Sequence, residues 1–276
     1  MGLRINTNVQ SLAAQRNLGQ SNMAQKASLE HLSSGSRINK AADDAAGLAI
    51  SEKMRAGIRS LGQGIRNAND GISLIQTAEG GMNEVGNILV RFRELSMQAA
   101  SDTVGDSERG FIDKEMQQLK GEVSRISKST EYNGTKLLNG EGKDLDIQVG
   151  LNNRPDEDRF SFSLANANVS AERLGVSSLT AVTKEDAQNN LAIVDEALKN
   201  VADNRSSMGA LQNRLQSAVN NMQIYNENLS SARSRITDVD MASETAELTR
   251  TNILSQAGVS VLSQANSNAQ LALKLI

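Results

Sequence analysis

The chain has no cysteine, no tryptophan and a single proline, Pro155, in 276 residues. Without cysteine there is no disulfide, no thiolate nucleophile and no cysteine-ligated metal. That absence suits a protein that works outside the cell without oxidative folding. Aromatic residues make up 2% of the chain, too few for the cores and ligand pockets of most globular enzymes. One proline leaves long helices uninterrupted. Hydrophobic content is 38%, low for a globule but ordinary for long helices with narrow apolar stripes. No apolar run approaches the length of a membrane span, so no membrane insertion is expected. A net charge of −3 offers no basic field for nucleic acid. The opening MGLRINTNVQS lacks the apolar core of a secretory leader, and Met1-Gly2 with Asn6 fits myristoylation poorly.

Catalytic chemistry is equally thin. His31 is the one histidine, and no HExxH pattern accompanies it. Asp43 and Asp44 are adjacent, so on a helix they point about 100° apart and read as helix-start acids rather than a proton-sharing pair. No serine sits in a GxSxG elbow. The glycines at 57–64 follow no strand, as a phosphate loop would require. Asn133-Gly134-Thr135 and Asn168-Val169-Ser170 match a glycan acceptor pattern only formally. The expectation is a non-enzyme with no cofactor and no metal site.

What is present is helical periodicity and a skewed charge distribution. Residues 251–276 carry one charge, Lys274, and residues 1–27 carry only Arg4, Arg16 and Lys26. Both ends read as segments that need partners to shield them. Leu3, Ile5, Val9 and Leu12 at one end, and Leu254, Ala257, Val261, Leu262, Leu273 and Leu275 at the other, are the candidate assembly contacts.

Between them, Ile50, Met54, Ile58, Leu61, Ile65, Ala68, Ile72 and Ile75 follow steps of three and four, the signature of a packed helical seam. The seam continues through Met82, Val85, Leu89, Phe92 and Leu95 despite several glycines, and Gly80-Gly81 reads as a candidate bend. A further helix is expected over residues 107–127, with Leu119 and Val123 inward. Val201, Met208, Leu215, Met222, Leu229 and Ile236 recur every seven residues. A helix of about fifty residues at 1.5 Å each would be roughly 75 Å long. Antiparallel packing of these helices is the expected product.

Alternation at Leu145, Ile147 and Val149 and at Phe160, Phe162 and Leu164 predicts two strands, and Asn133-Gly134 and Asn139-Gly140 predict turns. The fold class is therefore mainly α: an elongated antiparallel helical bundle or coiled coil with a small β-hairpin region at about 132–179, plus a terminal helix pair. The divisions expected are 1–42 and 238–276 for the inner terminal unit and 43–182 and 183–237 for the bundle. Arg37, Lys40, Asp43 and Asp44, at the first junction, are candidate intersubunit or interlayer ion-pair residues, the alternative being a solvated connection.

Several phrases then become recognisable. Residues 6–18 read NTNVQSLAAQRNL, 32–54 LSSGSRINKAADDAAGLAISEKM, and 67–82 NANDGISLIQTAEGGM. Residues 231–244 read SARSRITDVDMASE and 252–266 NILSQAGVSVLSQAN. In this order they resemble bacterial flagellin, across both ends and nearly the whole chain. The chain looks like a minimal form without large variable outer domains.

The resemblance implies an extracellular filament subunit for swimming motility. Its termini would be disordered in the monomer and become a channel-lining helix pair in the filament. It would be exported unfolded by the flagellar type III apparatus without cleavage. Its partners would be other copies of itself, a cytoplasmic chaperone near the C-terminal region, the filament cap and hook-associated proteins. Arg91, Arg93, Glu94, Leu95, Gln98 and Glu115 match the flagellin surface bound by the vertebrate Toll-like receptor. Two rivals stand beside this reading. A hook–filament junction protein would form a short adaptor rather than long homopolymers. For a secreted host-receptor ligand or effector, a deletion strain would stay motile while losing a host phenotype.

Overall fold

The computed structural model describes residues 7–274, with side chains described through residue 268. In chain order the elements are α1 (Val9–Ser34), α2 (Ala45–Ala99), α3 (Asp106–Ser129), β1 (Glu131–Tyr132), β2 (Thr135–Lys136), β3 (Leu145–Gln148), the short α4 (Pro155–Asp158), β4 (Arg159–Phe162), α5 (Lys184–Thr237) and α6 (Met241–Lys274). The mainly helical class with a small β region is borne out. Gly80-Gly81 lies inside the unbroken α2 and makes no bend.

The chain packs as two compact units, Met1–Ile58 with Glu227–Ile276, and Arg59–Asn226. Regular structure breaks at residues 35–44 and 238–240, where the sequence suggested boundaries. The two packed units divide the chain within α2 and α5.

In the unit Arg59–Asn226, α2 and α5 run antiparallel. Glu79 pairs with Arg205 at 3.5 Å, Arg93 with Asp195 at 2.7 Å and Asp102 with Lys184 at 2.7 Å. As the number on one helix rises, that on the other falls. α3 folds back along α2, with Arg91 meeting Glu115 at 2.8 Å. Phe92, Ile75, Met82, Leu89, Met116 and Leu215 are among the largest fully buried side chains. α5 begins at a capping turn: Asp186 N–H donates to the Thr183 hydroxyl at 3.1 Å, and that hydroxyl donates to the Asp186 carboxylate at 2.6 Å.

The buried line on α2 differs from the one the isoleucines suggested. It runs through Leu61, Gly64, Ala68, Gly71, Ile75, Ala78 and Met82. Ile65 and Ile72 flank it and are half-buried. The reason is the β region. A Cβ on Gly71 would lie 2.6 Å from Ile147 Cδ1, and one on Gly64 would run into the Val149 carbonyl and stand 3.1 Å from Met222 Sδ. Glycine brings the α2 backbone close to β3, and Asn67 fixes the register by donating to the Gln148 carbonyl at 2.9 Å.

β3 and β4 pair antiparallel, from Leu145↔Phe162 to Gln148↔Arg159. Their connection is closed by the buried Asp158, whose carbonyl accepts from Val149 N–H at 2.9 Å and Gly150 N–H at 3.0 Å. β1 and β2 pair around Asn133-Gly134, with φ of 48° and 79°. Two positive φ values are what a two-residue hairpin turn of the right twist requires.

Candidate assembly surfaces

In the unit containing both chain ends, α1 and α6 lie antiparallel, and small or polar residues fill the seam between them. Ser11, Ala14 and Ser28 of α1 and Thr251 and Ala265 of α6 are buried. The seam is bridged by uncharged hydrogen bonds. Asn8 Nδ2 donates to the Ala265 carbonyl at 2.9 Å, Ser11 to Asn266 at 3.0 Å, Gln25 to Asn252 at 2.5 Å and Ser255 to Asn22 at 3.1 Å. Of the buried hydroxyls, Ser11 is paired with Asn266 and Thr251 with the Glu247 carbonyl at 3.0 Å. At one end His31 Nδ1 meets Glu244 Oε1 at 3.3 Å.

Leu18 packs beside Gly258 in the seam, but many of the large apolar side chains of these helices point the other way. Val9 is 65% exposed, Met23 67%, Ile253 61% and Val261 58%. Leu254, Ala257 and Val261 are spaced by three and four residues and form an exposed stripe on α6. Leu12 is exposed and Leu262 half-buried. Leu3, Ile5 and Leu275 lie outside the described residues, and the side chain of Leu273 lies beyond those described. Isolated exposed apolar residues are ordinary on a protein surface, but a run of them on paired helices marks an interaction face.

The junction residues are occupied within the chain. Arg37 donates to the Ile236 carbonyl at 2.9 Å, near the C-terminus of α5 where a cation is favoured. Its own N–H donates to the Thr237 carbonyl at 2.6 Å, beside the bridge Ser36↔Asp238. Lys40 pairs with Glu30 at 2.6 Å, which raises the Lys40 pKa. Asp43 accepts from the backbone N–H groups of Lys40 and Asn39 at 2.9 and 3.0 Å, and these bonds hold its carboxyl below the usual range. Asp44 caps α2, accepting from Gly47 N–H at 2.8 Å. The two acids thus close a turn and cap a helix.

Among the seam candidates, Ile75, Val123, Val201, Met208, Leu215 and Met222 are buried, whereas Ile58, Leu119, Leu229 and Ile236 are half-buried. Arg91, Arg93, Glu94, Gln98 and Glu115 are exposed. Arg91 bonds Glu94 at 2.9 Å and Glu115 at 2.8 Å, and these acids push its guanidinium pKa up. Leu95 departs from that set. It is 1% exposed and belongs to the core, because it falls on the inward line of α2 that Phe92 and Ala99 share.

Sequence reasoning missed Arg109. This buried arginine donates to the Ala99 carbonyl at 2.9 Å and the Ser101 carbonyl at 3.1 Å, and pairs with Asp106 at 2.9 Å. It satisfies carbonyls left open at the end of α2. A lone arginine within the first turns of α3 was the available signal. Asn190 and Asp113 were also missed; they hold the segment before α5 through the Thr180 carbonyl at 2.7 Å and Ala181 N–H at 2.9 Å.

A packed helical body and a helix pair with its apolar side chains outward define a structural subunit. The family model for the bacterial flagellin N-terminal helical region matches residues 5–143, and that for the C-terminal helical region matches residues 191–276. The chain is 46% identical over 273 residues to a flagellin of Halalkalibacterium halodurans, covering 99% of both chains. It is 42% identical over 305 residues to a flagellin of Bacillus subtilis, covering 99% of this chain and 100% of that one. The crystal structure of Bacillus cereus flagellin matches with a TM-score of 0.51 at 29% identity, over 57% of this chain and 88% of that one. The chain belongs to the bacterial flagellin family. It is a structural subunit of the flagellar filament.

Proposed function

We propose that this protein polymerises with copies of itself into an extracellular filament for swimming, and that the outward faces of α1 and α6 are where the copies meet. The observation that carries the reading is the inversion of that helix pair: its buried residues are small or polar, while Val9, Leu12, Met23, Ile253, Leu254 and Val261 stand in solvent. Burying such side chains between copies is worth about 1.5–3 kcal/mol each. Contact between one face of a copy and a different face of the next, repeated without ring closure, gives a filament. Val9, Leu12, Leu254, Ala257, Val261 and Leu262 make these contacts, continued by Leu3, Ile5, Leu273 and Leu275. Arg37, Lys40, Asp43 and Asp44 set the junction geometry that presents them.

On the same reading the chain reaches its site through the flagellar type III export apparatus, with a chaperone on its C-terminal region, and it meets the filament cap and hook-associated proteins. Few charges at the chain ends and no disulfides suit a chain passed unfolded through a channel. Exposed Arg91, Arg93, Glu94, Gln98 and Glu115 are the surface offered to the vertebrate Toll-like receptor by released monomer, with Leu95 beneath it as support.

The test is a chain lacking residues 252–276. It should keep the cooperative melt of the unit Arg59–Asn226 and form no filaments in negative-stain micrographs at rising concentration. Normal filaments from this truncation would overturn the assignment.

A further inference from the structure

We propose that Asn133 is a site of spontaneous deamidation, an ageing mark written into the β1–β2 turn without any enzyme. The sequence contains two Asn-Gly pairs, 133–134 and 139–140. In such a pair no side chain shields the glycine nitrogen, which can reach the asparagine Cγ. The two pairs share this chemistry but differ in their surroundings.

Asn133 and Gly134 are both exposed. A Cβ built on Gly134 meets nothing within 4 Å, so the turn is open to water. Among the described residues no side-chain hydrogen bond holds Asn133. The hairpin around it has only the register pairs Glu131↔Lys136 and Tyr132↔Thr135, so local opening disturbs little.

Asn139 is held at both ends of its amide. Its Nδ2 donates to Glu141 Oε2 at 2.9 Å, and its Oδ1 accepts from Glu141 N–H at 3.0 Å. Gly140 is covered by Asn168, whose Cγ would be 2.7 Å from a Cβ placed there. The Leu138 carbonyl just before it accepts from Val169 N–H at 3.0 Å and the Ser127 hydroxyl at 2.9 Å.

The step is balanced without oxidant or cofactor. The Gly134 backbone nitrogen gives up its proton to solvent and bonds to Asn133 Cγ. The Cγ–Nδ2 bond breaks, and Nδ2 leaves as ammonia. Water then opens the cyclic imide. Attack at Cγ breaks the new bond and leaves aspartate; attack at the main-chain carbonyl carbon leaves isoaspartate. Either product places a negative charge close to Glu131, whose carboxylate pairs with Lys136. Isoaspartate also adds one carbon to the backbone path and breaks the Tyr132↔Thr135 register.

The experiment incubates purified full-length protein in mildly alkaline buffer made with heavy-oxygen water, followed by peptide mass spectrometry and isoaspartate-specific methylation. Asn133 should convert about tenfold faster than Asn139, the factor that two ordinary hydrogen bonds supply together. Its product should carry heavy oxygen and include isoaspartate. Glu141→Ala should raise the Asn139 rate severalfold while leaving Asn133 unchanged. Equal rates at the two sites, or aspartate without isoaspartate at residue 133, would overturn the proposal. A fold-retaining Asn133→Gln chain that still gains heavy oxygen there at the parent rate would do the same.

Discussion

The helix pair α1–α6 and the body built on α2, α3 and α5 use the same antiparallel geometry with opposite chemistry. In the body, Phe92, Ile75 and Leu215 point inward and are fully buried, while ion pairs such as Arg93–Asp195 lie outside. In the terminal pair, serine, threonine and alanine point inward and Val9, Met23 and Ile253 point outward. The body therefore completes its core within one chain. The terminal pair leaves its apolar area to be covered by something else. The difference lies in which face of a helix carries the large side chains, since the hydrophobic effect rewards their burial wherever it occurs.

The comparison is tested most severely by Leu215→Asp. An unpaired carboxylate in the body's core should cost about 4 kcal/mol or more and lower the thermal midpoint sharply; a melt matching the parent would remove Leu215 from the core.

A smaller effect separates two glycines of α2. Gly64→Ala should destabilise by about 1–3 kcal/mol, because the backbone of Val149 cannot step aside as a side-chain tip would. Gly80→Ala, with nothing within 4 Å of the new methyl, should stabilise by about 1 kcal/mol through helix propensity alone. Urea melts of the two variants should move in opposite directions, and a shared direction would refute the close-approach argument.

The junction responds to acid. The Ser234 and Thr237 hydroxyls hold the Asp238 carboxyl below its usual range, and the Lys40 and Asn39 N–H groups do the same for Asp43. A depressed folded pKa means a contribution that is present above the ordinary aspartate range and lost as pH falls through the folded value. The protection factors of the Asn39 and Lys40 amides, exchange rates divided by the base-catalysed rate of an open chain at the same pH, should stay constant through neutral pH and fall only in that acid window. Protection that fell on going alkaline instead would contradict the sign.

The smallest effect on folding is expected at Val261→Ser, within about 0.5 kcal/mol by thermal melt, because the side chain is in solvent. The concentration needed for polymer should nevertheless rise about tenfold, as burial of a valine is worth about 1.5 kcal/mol or more. A large loss of monomer stability with unchanged polymerisation would reverse the two roles.

Much of this was legible in residue order. The seven-residue repeat at Val201, Met208, Leu215 and Met222, the single proline and Asn133-Gly134 specify helices and a hairpin locally, because periodicity and turn chemistry act over a few residues. The charge-poor ends and the flagellin-like phrases were also plain. Ile65 and Ile72 misled, since a hydrophobicity pattern gives isoleucine the seam and glycine the gap. The real seam takes Gly64 and Gly71 because β3, distant in sequence, presses on α2 there. Leu95 misled for the complementary reason: a surface phrase on a helix contains inward positions.

The sequence by itself determined that the chain is helical, divided, free of thiol chemistry and short of charge at both ends. Only the tertiary structure decided which side of α1 and α6 is inside, that Arg109 caps the end of α2, and that Asp43 and Asp44 serve backbone groups. These outcomes depend on which distant segments meet, and on the cost of burying a polar group that finds no partner among them.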